Sequence, residues 1–317
     1  MLFEMTNLLM LNAKPPILTR SEVNSTKMTL EEHLRPDFRE AGEARKLRVT
    51  TEPYAAEVHL GKTHVSCTTS IEKMPANQDR PGEGRHIINL TSSFKMETKQ
   101  RADLLASLRN TLDKTGTIDL ESLCIQKGYS AWHMTSNLFI CDDDGGLVEA
   151  AQIAVLLSVI RTKLPSKDGP RPVTVHALPF AITFGFAKPD VCIIDPTKAE
   201  TEAIDGEATV YLTANGDLYG FRKNGGIAVL PSFFSELIRT SLDIAREWHT
   251  VVMESLGPNA PPLISKIIVF TPTEESLPSP IPQEQKIEED EPIPIPEKPD
   301  EEEGMELDPA LLELYGM

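Results

Sequence analysis

The sequence predicts an α+β fold in which two βα halves pack sheets on helices. Three observations carry that expectation. Runs of strand character followed by a long helical run occur twice, within residues 28–165 and again within 173–257. A proline-rich break, holding Pro165, Pro170 and Pro172, separates the two. The run LVEAAQIAVLLSVIRTKL (147–164) is nearly all apolar, which predicts a helix deep in the core.

The elements follow in order. Residues 1–27 show no clear period and read as an N-terminal extension. The opening MLFEMTNLLMLNAKPP is briefly apolar but lacks the basic start and small-residue cleavage site of a secretory leader. LRVTTEP and YAAEVHLGKTHVSCTTS read as strands, with Gly61-Lys62 as a hairpin turn. Residues 74–85 are a loop of Pro, Gly and charge, and HIINLTSSF is another strand. Leu104, Leu105, Leu108 and Leu112 predict an amphipathic helix over 99–114, with Gly116 as its stop. Two strands then flank Lys127-Gly128, and Asp142-Asp143-Asp144-Gly145-Gly146 reads as a hairpin turn. VTVHALP, FAITFGFA and VCIIDP are strands, and ATVYLTANGDLYGFRKNGG is a hairpin around Asn215-Gly216. A long helix follows from PSFFSEL, with Ser232 as N-cap and Gly257 at its end.

Charge is distributed unevenly. Residues 271–317 hold 15 acids and 2 lysines, which leaves 33 acids and 29 bases for the other 270 residues. The net charge of −17 therefore belongs mainly to the tail, and a nearly balanced body can still carry a basic patch. Residues 258–317 are rich in Pro and Glu and have too little apolar surface to offset an ordering cost of about 1–2 kcal/mol per residue, so they predict a disordered arm. At its end, residues 308–315 suggest a short partner-docking helix: Asp308 caps, Pro309 suits the first turn, and Leu311, Leu312 and Tyr315 are apolar. No run approaches twenty apolar residues, so no membrane span is expected. The four cysteines are far apart, without metal-ligand spacing, and read as buried thiols of a reducing compartment.

The candidate chemistry centres on IIDPTKAETEAIDGE (193–207), where Asp195-Pro196 is followed by Glu200, Glu202, Asp205 and Glu207. These acids are expected on a connection between two strands, either as a metal-holding centre or as a solvated turn. Elsewhere the motifs fail. The Asp142–Gly146 run has Ile153 where a calcium loop needs its Glu. Phe221–Gly226 lacks a phosphate-loop pattern, the seven histidines do not cluster, and no nucleophile elbow is present. Neither a metal nor a cofactor is expected.

Three pieces, in this order, carry a resemblance: Ile118-Asp119-Leu120-Glu121-Ser122-Leu123-Cys124; Asp144-Gly145 with the Ala-rich helix after it; and Asp195-Pro196-Thr197 running to Asp205-Gly206. Over residues 47 to about 257 the chain is similar to the RNase PH family, and more narrowly to the non-catalytic RNase PH-like subunits of the RNA exosome ring. The long acidic arm favours the longer-tailed kind of ring subunit. The resemblance implies an RNase PH-like fold and a heterodimer with another RNase PH-like exosome subunit inside a six-membered ring. It also implies cap subunits with RNA-binding domains, and RNA as the threaded cargo of 3'-to-5' processing and degradation. Cytoplasm and nucleus, extending to the nucleolus, are the implied locations. In active relatives two Asp residues, six apart, fall at the positions matching Thr201 and Glu207, and an arginine loop matching Cys124–Gly128 binds phosphate. Here the first Asp is absent, the second is a longer acid and the loop has no arginine, so no catalytic residue is expected. The alternative is a divergent phosphorolytic or metal-dependent 3'-to-5' exoribonuclease using Glu200, Glu202, Asp205 and Glu207. Two RNA-facing arginines of related inactive subunits match Asn110 and Asp113, with Arg109 and Lys114 one place off. Lys62, Arg101, Arg109 and Lys114 are the candidate RNA contacts.

Overall fold

The computed structural model describes residues 18–166, 169–188, 191–225 and 231–257. The candidate docking residues Leu311, Leu312 and Tyr315, and the acidic arm, lie outside the described residues.

The chain enters through α1 (Arg20–Glu31), where the sequence reading saw no period. Its start is a capping box, in which the Thr19 hydroxyl accepts from the Glu22 N–H and the Glu22 carboxylate reaches back to the Thr19 N–H. β1 (Leu47–Glu52), β2 (Ala55–Leu60), β3 (Thr63–Pro75), β4 (Arg85–Ser92), β5 (Cys124–Gln126) and β6 (Ser130–Asp142) form the first sheet, ordered β1-β2-β3-β6-β4 with β5 on β6. The β2–β3 turn is two residues long, as Gly61-Lys62 predicts, since Leu60 pairs with Thr63 and Gly61 takes φ +59. β3 runs to Pro75 and takes the first residues of the expected loop. The β4–β6 pair is parallel, with α2 (Thr98–Arg109) on the crossover between them.

α3 (Leu147–Ile160) is buried along its length and packs on β2 and β3 of the first sheet and on β9 (Pro179–Lys188) of the second. It has no polar face because both sides meet protein. The second sheet is ordered β10-β9-β11-β12, with β10 (Val191–Ile194), β11 (Gly206–Thr213) and β12 (Leu218–Gly225); β7 (Lys163–Leu164) and β8 (Arg171–Pro172) make a separate small pair. α4 (Lys198–Ala203) lies between β10 and β11. α5 (Pro231–Leu256) covers β9, β11 and β1, burying Leu237, Ile244, Ala245, Trp248, Val252 and Leu256 at helical spacing. It begins one residue before the expected cap Ser232 and ends where Gly257 takes φ +69.

Four expectations are corrected. Asp142–Gly146 is not a hairpin turn but a strand-to-helix bend, with Gly145 and Gly146 both at positive φ and Gly146 at the N-cap of α3. VTVHALP forms only an isolated bridge, Val175 to Ile118, because its partner is a short loop rather than a strand. The acidic connection contains α4, which starts on the capping box Thr197-Glu200. The histidines do cluster at one place: His59 and His64 stack across the β2–β3 hairpin with ring centroids 4.0 Å apart.

Candidate functional site

The fold brings together two of the three pieces that carry the resemblance. The Asp142–Gly146 bend sits on the Asp195–Thr197 turn: the Lys198 N–H donates to the Asp144 carbonyl at 3.1 Å, and Lys198 Nζ lies 2.9 Å from Asp143 Oδ2. The third piece is a separate brace. Asp119 Oδ1 accepts from the N–H groups of Glu121 and Ser122, turning the chain so that Leu123 is buried.

The acids of 193–207 then separate into roles. Asp195 is 2 % exposed and stands at φ +49, a conformation that costs about 1–2 kcal/mol for a non-glycine residue. Its carboxylate accepts from Arg45 at 2.8 and 2.6 Å, and from Arg39 at 3.3 Å. Burial pulls the Arg45 guanidinium down, but Asp195 outweighs it through hydrogen bonding and charge, so Arg45 ends above the usual arginine range. Glu200 is fully buried and takes a two-pronged bond from Arg35, at 2.8 and 2.7 Å. Asp205 pairs with Lys27 at 2.7 Å, and Glu202 is exposed. The two deepest acids are therefore neutralised by three arginines of the loop between α1 and β1, and they hold that loop to the second sheet. Sequence reasoning missed Arg35, Arg39 and Arg45. Their spacing of four and six has no period, and only the fold places them.

Glu207 alone of these acids faces a polar seam on the second sheet. Burial raises its pKa above the usual carboxylate range, against the lowering effects of the Thr201 hydroxyl and the Arg222 charge. Alternation along β11 puts Glu207, Thr209 and Tyr211 on one face, and Arg222 is the cross-strand neighbour of Thr209. Arg222 Nη1 donates to Ser107 Oγ of α2 at 2.5 Å, and Thr183 meets Thr209 at 3.0 Å. Thr201 and Glu207, the positions that matter for the resemblance, are thus neighbours in space, and Arg222 is the cation that sequence reasoning overlooked there.

Glu149 of α3 ends the seam. It is fully buried with Oε1 unpartnered; burial first, then the charge of Asp195, push its pKa to about 7 against the opposing Thr183 bond and Arg45. The folded chain therefore binds a proton that the unfolded chain has lost, and the associated stability falls as pH rises from about 4.5 towards 7. Thermal melts across that window should show wild type losing stability at up to about 1.4 kcal/mol per pH unit relative to Glu149→Gln. Parallel curves would mean that Glu149 stays ionised.

The predicted RNA contacts lie on the first half. Lys62 is exposed at the β2–β3 turn. Arg101 is exposed on α2, but its guanidinium bonds the Leu90 carbonyl. Arg109 and Lys114 are both exposed, and between them α2 widens into a π-turn, Asn110–Lys114. A regular helix would set them about 140° apart, and the wider i→i+5 turn narrows that angle. Asp113 Oδ1 lies 2.8 Å from His86 Nδ1. His86 in turn bonds Ser136 at 2.9 Å, and Ser136 bonds Thr69 at 2.9 Å. That Asp-His-Ser chain is no nucleophile set, because Ser136 is 0 % exposed. It anchors the π-turn to β4 and β6. Among the described residues all four cysteines are free, and no helix is long and apolar enough to cross a membrane.

Residues 44–165 match the profile of the 3' exoribonuclease family, domain 1, called RNase_PH. The chain is 29 % identical over 269 residues to exosome complex component RRP45B of Arabidopsis thaliana, covering 75 % of this chain and 61 % of that protein. It is 28 % identical over 267 residues to RRP45A of the same plant, covering 75 % and 87 %. A solved archaeal exosome core superposes with TM-score 0.66 at 21 % identity, over 78 % of this chain and 98 % of that one, which establishes the fold. Motif order, the profile match over residues 44–165 and the shared architecture agree: the chain carries an RNase PH domain and is similar to exosome complex components built on that fold.

Proposed function

We propose that this chain is a non-catalytic structural subunit of an exosome core ring. It pairs with another RNase PH-like subunit, helps close a ring of six beneath caps that carry RNA-binding domains, and guides RNA toward 3'-to-5' processing and degradation. One observation carries this reading: the seam holds Thr201 and Glu207 where active relatives need two Asp, and its cation, Arg222, is engaged with Ser107. Phosphorolysis sets an anionic phosphate against an anionic backbone, and losing one fixed donor alone costs about 3–4 kcal/mol of barrier. The related proteins are named as exosome components, which supports the assembly. Work in cytoplasm, nucleus and nucleolus goes with it.

Lys62, Arg109 and Lys114 supply phosphate contacts that are blind to sequence, and Arg101 contributes less because its guanidinium is engaged. Purification from its source under mild salt should bring down other RNase PH-like chains; elution alone would remove the basis of the reading. In the assembled ring, Arg109→Glu with Lys114→Glu should flatten the dependence of log affinity on log salt by about 1.4 for single-stranded RNA, at roughly 0.7 per lost phosphate contact. An unchanged slope would take the RNA off this π-turn. Incubation of the pure chain with RNA, phosphate and magnesium should release no nucleoside diphosphate. Release that Glu207→Gln abolishes would overturn the non-catalytic assignment.

A further inference from the structure

We propose that Glu57, His59 and His64 form a divalent-cation site of the zinc class on the outer face of the β2–β3 hairpin. The inward residues of this hairpin, Ala56, Val58, Leu60, Thr63, Val65 and Cys67, are all buried, so alternation sends the intervening side chains to the opposite face. His59 and His64 are direct cross-strand partners. Their rings stack 4.0 Å apart at an interplanar angle of 17°. The two Nε2 atoms converge on one carboxylate oxygen: Glu57 Oε1 is 3.3 Å from His59 Nε2 and 2.5 Å from His64 Nε2. The three donor atoms all lie within 4.8 Å of one another.

The His64 contact is short but poorly directed. Its Nε2 atom is out of solvent and has no aligned hydrogen bond. A nitrogen in that position is placed for a ligand rather than for its neighbour's oxygen. A tetrahedral ion about 2.0–2.2 Å from each donor needs the donors about 3.3 Å apart. The His59–Glu57 separation already meets this, and the His64 contact has only to open by less than about 1 Å.

Two imidazoles with one carboxylate suit a borderline cation, zinc above magnesium or calcium, and leave the remaining position to water. Binding requires both Nε2 atoms unprotonated, so protons leave as the metal enters. The charged neighbours are Arg48 of β1, opposite His59, and Asp142 of β6, opposite His64. They oppose each other in sign. Seated there, the ion would clip the hairpin whose tip carries Lys62. The expectation of no metal rested on cysteine spacing and on histidines that look separate in the chain. The two-residue turn is what brings residues five apart face to face.

The test titrates the untagged full chain with Zn²⁺, and with Co²⁺ as a spectroscopic stand-in. Wild type should bind one equivalent, and the cobalt form should show the intense visible bands of low-coordinate nitrogen ligation. His59→Ala and His64→Ala should each weaken binding at least tenfold and abolish those bands. Metal-free thermal melts should match wild type and so certify folding, since all three side chains are partly exposed. His249→Ala, away from the hairpin, should behave as wild type. Equal uptake by wild type and His64→Ala would place the ion elsewhere on the chain and overturn the proposal, as would no uptake at all.

Discussion

Glu200→Ala should lower the unfolding free energy by about 3–5 kcal/mol, because it leaves the Arg35 guanidinium, whose side chain is 1 % exposed, buried with only backbone carbonyls and the more distant Asp37 carboxylate at 3.8 Å. The same change removes the carboxylate half of the capping box, the bonds that Glu200 accepts from Thr197, worth up to about 1 kcal/mol, while the N–H of residue 200 still donates to the Thr197 hydroxyl. The Arg35-Glu200 pair need not stabilise the fold in absolute terms, since two charges leave water to form it. Replacing both residues by apolar ones, Arg35→Met with Glu200→Leu, should therefore recover most of the loss. Urea unfolding at constant m-value, run as a double-mutant cycle, reads both quantities. A loss no larger than the cap contribution would show that the pair is solvated, and the structural role assigned to the acids would fail with it.

Gly145→Ala comes next. A Cβ there would stand 2.5 Å from the Pro196 carbonyl oxygen and 2.8 Å from the Lys198 nitrogen, both backbone atoms that cannot swing aside, and φ is +86. The left-handed conformation costs about 1–2 kcal/mol and the overpacking about 1–3 kcal/mol more. A total near 2–5 kcal/mol should appear as a lower urea midpoint. The exposed Gly116, at φ +72 with nothing within 4 Å of its added Cβ, is the control: Gly116→Ala meets only the conformational cost. Equal losses at the two glycines would refute the close approach of the bend to the Asp195 turn.

What the chain disclosed beforehand follows its local signals. Gly61-Lys62 and Asn215-Gly216 fixed two hairpins because turn chemistry is local. The apolar run at 147–160 announced a helix covered on both sides, since no polar face was left for water. The acids of 193–207 were legible as acids but not as partners. Whether Asp195 and Glu200 hold a metal or arginines depends on Arg35, Arg39 and Arg45, about 150 residues away in sequence. Glycine signals misled at 145–146, where positive φ serves a strand-to-helix bend as readily as a hairpin. α1 was missed because its pattern buries only Leu30, although Thr19 and Glu22 spelled its cap. The π-turn after α2 has no period of its own, so a register argument based on regular helix geometry could not place Lys114.

The sandwiched position of α3 bears on synthesis. When Ile160 leaves the ribosome, the first sheet can close over one side of the helix, but β9 and β11 do not yet exist, and Thr213 follows 53 residues later. At about 5–20 residues per second the nascent chain carries a greasy, unclad flank for several seconds. That interval makes the half-made subunit a client for chaperones. It also makes premature termination just past Ile160 a source of insoluble product rather than of a smaller working piece.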